Sequence, residues 1–134
     1  MSESLRDNER SQAATRFYES LVAGEPDMAL VTESFEYQQH FGSTEGRYVG
    51  EAGLRRWIAT FYEIWDQASI STEGVRGAAD RIALVTRGTV RGRLSGIEVE
   101  LRTTGIWRFA SDGRIRRLDV FNDDEAAEAA FLAG

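Results

Sequence analysis

The spacing of apolar residues changes period near residue 68, and that change limits the chain to a small set of architectures. Before it, LRDNERSQAATRFYESLVA (5–23) sets Ala13, Ala14, Phe17, Leu21 and Val22 at helical intervals, and Gly24 stops the run. EAGLRRWIATFYEIW (51–65) places Leu54, Trp57, Ile58, Phe61, Tyr62 and Trp65 on a second helical stripe. Between them, PDMALVT (26–32) reads as a short helix with Pro26 in its first turn, where a missing N–H costs nothing. SFEYQQ (34–39) alternates, with Phe35, Tyr37 and Gln39 on one face, and runs into a glycine-rich loop, HFGSTEGRYVG. Beyond residue 68 the segments ASISTEGVRGA, DRIALVTRGTVRGR, GIEVELRTTGIWRFA and GRIRRLDVFN have strand character and are joined by short turns such as SG and SDG. NDDEAAEAAFLA closes the chain as a short helix capped by Asn122 or Asp123. Helices, one strand, a helix and then a strand meander predict an α+β fold, a curved antiparallel sheet with helices packed on one side.

Composition narrows the function classes. A chain of 134 residues that is 42% hydrophobic and 28% charged has the size and make-up of one globular domain spanning 1–134. No apolar run approaches the roughly 20 residues that cross a bilayer, and MSESLRDNER is unlike a signal peptide. With no cysteine there is no thiolate chemistry, so cytoplasmic residence without a membrane partner is the expectation. All 16 basic residues are arginine, which leaves no lysine for Schiff-base or phosphate-loop chemistry. The net charge of −6 argues against nucleic acid as a partner. Residues 76–117 nevertheless hold ten arginines against four acids, Asp80, Glu98, Glu100 and Asp112. They form either a solvated sheet face or an anion-binding one.

RFYESLVAGEPDMAL, FEY, GRYVGEAGLRRWIATFYEIW and GIWRFASDGRIRRLDVF, in this order, resemble the SnoaL-like, polyketide cyclase-like branch of the nuclear transport factor 2-like superfamily over nearly the whole chain. The resemblance implies a cone, cystatin-like in outline, whose curved antiparallel sheet wraps N-terminal helices around a pocket open at one end. It also implies a homodimer formed through the outer sheet face. It does not fix a reaction, because the same cone serves enzymes and non-catalytic proteins. A ketosteroid isomerase would carry a tyrosine where this chain has Phe17, a base aspartate near Gln39 and a second aspartate near Gly105. The Asp-Arg-Asp set of limonene-epoxide hydrolases is not evident either. For the aspartate and nearby histidine of SnoaL-type cyclases, only Asp119 and His40 are at hand.

By the resemblance, Arg116, Leu118, Val120 and Asn122 face the cavity, while Ile115, Arg117, Asp119 and Phe121 face out. Asp119 is then an ion-pair partner for Arg117 or Arg108, with service as a base the less favoured alternative. Leu101, Thr103, Gly105 and Trp107 face inward on the preceding strand, as do Ile82, Leu84, Thr86 and Gly88 on the one before. The predicted ligand-binding residues are Phe17, Gln39, Trp57, Phe61, Thr103, Trp107, Leu118 and Asn122. The catalytic candidates are Tyr37, as acid or oxyanion donor, and His40, which Glu36 or Glu45 would orient. No metal or cofactor is implied. These residues suit a small, largely apolar ligand, with any catalysis being proton transfer of the isomerase, cyclase or lyase kind. The other reading is a non-catalytic dimeric module that works through its arginine-rich face.

Overall fold

The computed structural model describes residues 3–41 and 46–133. Helix α1 (Glu3–Val22) is followed by a 3-10 turn (Met28–Leu30), β1 (Val31–Gln39), β2 (Arg47–Val49) and α2 (Gly50–Ile64). The strands β3 (Trp65–Ala78), β4 (Arg81–Gly92), β5 (Glu98–Phe109) and β6 (Ile115–Phe121) form the meander, and α3 (Asp124–Leu132) ends it. The α+β cone is present as a curved, open six-stranded sheet in the order β2-β1-β6-β5-β4-β3. It is mixed rather than antiparallel, because β1 lies parallel to β6.

Local chemistry explains where elements begin and end. Only Met28–Leu30 of the expected second helix is helical, with the Asp27 carboxylate accepting from the Ala29 N–H at its start. Val31 and Thr32 already belong to β1, as β-branched residues do readily. The expected loop after Gln39 contains β2, which folds back antiparallel on β1 with Tyr48 opposite Tyr37. Gly46 permits this return, since a Cβ there would stand 2.5 Å from the Gln39 carbonyl oxygen. Gly50, at φ +65°, turns β2 into α2 through a conformation other residues adopt only under strain. Asp123 rather than Asn122 caps α3, accepting from the Glu125 N–H at 3.1 Å.

The main core lies between the concave sheet face and α1 and α2, and includes Phe17, Leu21, Phe35, Leu54, Ile82, Leu84, Trp107, Ile115 and Leu118. Phe17 meets Phe35 edge-on at 5.2 Å and Trp107 at 6.4 Å, the offset geometry aromatic rings favour. The inward sets expected on β4 and β5 hold. On β6 the parity breaks, because the ladder with β5 shifts between Arg108 and Phe109. Ile115 therefore enters the inner core, and Arg116 turns outward to Asp80 at 3.1 Å. The helices do not all lie on one side, since α3 covers the convex face. There Ala127 and Phe131 pack on Ile106 and Phe121.

Beside α3 the convex face carries a chain of charges. Arg117 donates to both oxygens of Asp119, at 2.8 and 2.9 Å, and to Glu36, which Arg47 also binds. His40 Nε2 lies 2.8 Å from Asp119 Oδ1, and its ring stacks on Phe121 at 4.2 Å. Burial acts to raise the Asp119 carboxyl, but hydrogen bonds from Arg117 and His40 outweigh it and hold the group below its ordinary value.

Two outcomes follow from this packing. Phe17→Ala should lower unfolding free energy by about 3–5 kcal/mol in chemical denaturation, because it empties a fully buried site. Asp119→Asn should cost roughly 2 kcal/mol, by removing the charge that Arg117 and His40 share. The lowered folded value makes the Asp119 contribution complete above the unfolded carboxylate range near roughly pH 4, and it is lost as pH falls through the folded value. Thermal unfolding of the variant should therefore fall less steeply with acid than that of the wild type; parallel curves would contradict the assignment.

Candidate functional site

The cavity is made by a change of residue size along the inward face of the sheet. Towards one end, Ile82, Leu84, Trp107 and Leu118 fill the space under α1. Towards the other, the inward positions carry Ala68, Thr86, Gly88 and Thr103, which leave it open. The result is a cavity of about 320 Å³ between α1, α2, β1 and the strands β3–β5. Trp57, Phe61 and Thr60 of α2 wall one side, Tyr18 and Val22 of α1 another, and Phe41 and Leu101 stand at its margin. Trp57 and Phe61 stack at 4.9 Å, forming a flat apolar wall. Among the described residues lining the cavity there is no Asp, Glu, His or Arg.

Its polarity comes from neutral groups. Tyr37 Oη donates to Gln39 Oε1 at 3.3 Å, and Gln39 Nε2 donates to the Phe41 carbonyl at 3.4 Å. Tyr37 also packs against Tyr48 and Trp57, each with ring centroids 5.8 Å apart. Burial pushes the Tyr18 phenol up to about 12, with a hydrogen bond to Thr103 acting against the rise. Burial likewise carries Tyr37 well above its ordinary value, helped by the neighbouring Tyr18 phenol. Both therefore remain protonated at neutral pH, able to donate a hydrogen bond and unable to serve as a base.

The sequence-predicted residues divide into groups. Gln39, Trp57, Phe61 and Thr103 line the cavity together with Tyr37. Trp107 and Leu118 share its face of the sheet, and Phe17 meets Trp107 from α1, but all three are packed in the core beyond it. Asn122 is exposed at the end of β6. His40 is also outside the lining; Asp119 holds it on the convex face, in place of the expected Glu36, while Glu45 lies outside the described residues. The expected loop at 40–50 likewise falls partly outside them. Tyr18, Tyr48, Thr60, Trp65 and Thr86 were not singled out for the site by sequence reading. Helical spacing could have offered Tyr18, one position after Phe17 on the same broad stripe.

Other expectations bear on chemistry. Near Gly105, where the resemblance puts an isomerase aspartate, a Cβ would stand 2.7 Å from Trp107 Nε1 and 3.1 Å from a Leu118 methyl. That space belongs to core side chains. The arginines of 76–117 are engaged: Arg87 by Glu73 and Glu100, Arg91 by Asp66, Arg102 by Asp124 and Arg76 by Glu128. Arg93 and Arg108 donate to backbone carbonyls. Among the described residues no three His, Asp or Glu side chains gather as a metal site would require, and no helix is long and apolar enough to cross a membrane.

The chain resembles several solved structures at low identity. TerC co-crystallised with polyporic acid matches at 16% identity over 91% of this chain and 97% of that one, with a TM-score of 0.74. A SnoaL-like polyketide cyclase, so described, from Jannaschia sp. CCS1 matches at 17% over 100% and 99%, with a TM-score of 0.72. The epoxide hydrolase/cyclase-like enzyme SalBIII, of pyran ring formation in salinomycin, matches at 13% over 85% and 90%, with a TM-score of 0.68. At these identities the likeness carries the fold alone. No curated protein matches the chain. The profile of the SnoaL-like domain matches residues 14–118, and the chain belongs to that family.

Proposed function

We propose that the cavity binds a small, largely apolar, uncharged molecule that presents a carbonyl or hydroxyl oxygen to Tyr37, Gln39 and the Tyr18–Thr103 pair. The observation that carries this reading is an aromatic lining whose polar groups, among the described residues, are all neutral. An ionised ligand would give up its hydration with no opposite charge among the described lining residues to compensate it. A flat apolar molecule gains from Trp57 and Phe61, and one oxygen on it takes over the hydrogen that Tyr37 otherwise gives to Gln39. Co-crystallisation of the similar TerC with polyporic acid supports small-molecule binding as the use of this fold. We read the functional unit as a cytoplasmic homodimer of one domain per chain.

The catalytic extension of this reading is proton transfer of the isomerase, cyclase or lyase kind. In it Tyr37 donates to a carbonyl oxygen as negative charge develops there. Because the described lining offers no carboxylate or imidazole, the acceptor of the proton is a group of the ligand or a water. His40 has a partner suited to orient it, but the wrong side of the sheet for a ligand in the cavity.

Isothermal titration with 2-naphthol and with naphthalene tests the binding reading. Both should bind, and Tyr37→Phe should weaken 2-naphthol about three- to tenfold while leaving naphthalene unchanged, as loss of one neutral hydrogen bond predicts. Ala68→Phe, which places a ring in the cavity, should abolish both. Added salt should have little effect on either. Binding of neither probe, or binding indifferent to Ala68→Phe, would overturn the proposal.

A further inference from the structure

Strand β5 begins at Glu98, but its ladder with β6 starts only at Thr104. Residues 98–103 are bonded to β4 alone, and Glu98, Val99, Glu100, Leu101 and Arg102 are all exposed. The other sheet edges are blunted. β2 is three residues long, and the β3 ladder shifts register twice, between Trp65 and Gln67 and between Glu73 and Val75. The pairing of β5 with β4 runs without a shift from Glu98 to Arg108. A straight edge that carries apolar side chains is one that accepts another strand.

The segment at that edge reads EVELR, and it is complementary to itself when two copies run antiparallel about Glu100. Glu98 then stands opposite the partner's Arg102, and Val99 opposite the partner's Leu101. Directly opposed side chains in such a pair share a face and interact. Val99 and Leu101 lie across β4 from Val90 and Gly88, both cavity-lining, so these apolar side chains meet on the cavity side. They are 36% and 41% exposed in the single chain, which leaves substantial apolar surface for a partner to cover. Arg102 donates to Asp124 at 3.0 Å through one nitrogen and retains donors for a second carboxylate. Glu100 meets its own copy, the one unfavourable pair, and Arg87 beside it at 3.0 Å tempers the repulsion.

We propose that two copies of the chain join edge to edge through residues 98–102, antiparallel about Glu100, to form one sheet across the dimer. The occupant is a second copy because the charge and apolar pattern matches the segment to itself. Ile97, just before the strand and 63% exposed, comes opposite the partner's Thr103, which lines the cavity. Each chain thus borders the other's cavity, and the contact differs from the convex-face dimer that the family resemblance implies.

Size-exclusion chromatography with light scattering, on the full chain over a concentration series, tests this contact. The wild type should dimerise. Glu98→Arg and Arg102→Glu should each raise the dimer dissociation constant roughly tenfold or more, by opposing like charges twice across the axis. An equimolar mixture of the two variants should dimerise again, since both 98–102 pairs in the mixed dimer join an arginine to a glutamate and the Glu100 pair is as in the wild type. Circular dichroism checks that both variants are folded. In the wild type, amide exchange over 98–102 should slow as concentration rises. A wild type that stays monomeric, or a dimer that neither substitution weakens, would overturn the proposal.

Discussion

The parallel ladder between β1 and β6 decides what the cavity contains. Tyr37 pairs with Leu118, Gln38 with Asp119 and Gln39 with Val120. Because successive strand residues face opposite ways, this register sends Tyr37, Gln39, Leu118 and Val120 inward and Glu36, Arg117 and Asp119 outward. A slip of one residue in either strand would exchange the sets and put carboxylates among the aromatics. The register is held from both faces. Inside, Phe35, Tyr37 and Leu118 are buried. Outside, Arg117 ties the two strands together through Glu36 and Asp119, and the His40 N–H donates to the Val120 carbonyl at 2.9 Å. The charge network and the buried aromatic face thus act together to keep Glu36, Arg117 and Asp119 out of the cavity.

That exclusion sets the chemistry. In a cavity whose described lining carries no ionised group, burial keeps the Tyr18 and Tyr37 phenols protonated at neutral pH, and each becomes a donor whose dipole is worth more than in water. Such a site can orient an oxygen and stabilise charge developing on it. Its described lining offers no ready base. The contrast with a carboxylate-based isomerase reaches the packing itself, because the room an inward aspartate would need near Gly105 is filled by the Trp107 indole. One buried tryptophan serves as both core and chemical exclusion.

Much of this was legible in the sequence, and what was not has identifiable causes. Helical and strand parity gave α1, α2 and the inward sets of β4 and β5, so Trp57, Phe61 and Thr103 could be placed beside Gln39. Parity gives the face of a residue but not its depth, and so Phe17, Trp107 and Leu118 each lie on the inward face of their own element yet beyond the cavity. The parallel pairing of β1 and β2's place inside a glycine-rich segment are long-range or short-element features with no periodic trace. The same holds for the His40–Asp119 contact, which joins positions 79 residues apart. Ile115 escaped because a register shift at Arg108–Phe109 resets the alternation on which its assignment relied.

The cavity and the free edge trace to one mismatch in strand length. β5 has twelve residues and β6 seven, so β5 runs on past its neighbour for six positions. The overrun carries Leu101 and Thr103 to the rim of the cavity, where a longer β6 would have placed side chains that narrow the opening. The same overrun strips the backbone of one set of hydrogen-bonding partners between residues 98 and 103. Lengthening β6 would cover the edge and narrow the cavity together, whereas pairing β5 with its own copy covers the edge and leaves the interior space intact. A fold that must keep an open apolar chamber is therefore better served by completing its sheet with a second chain than with more of its own.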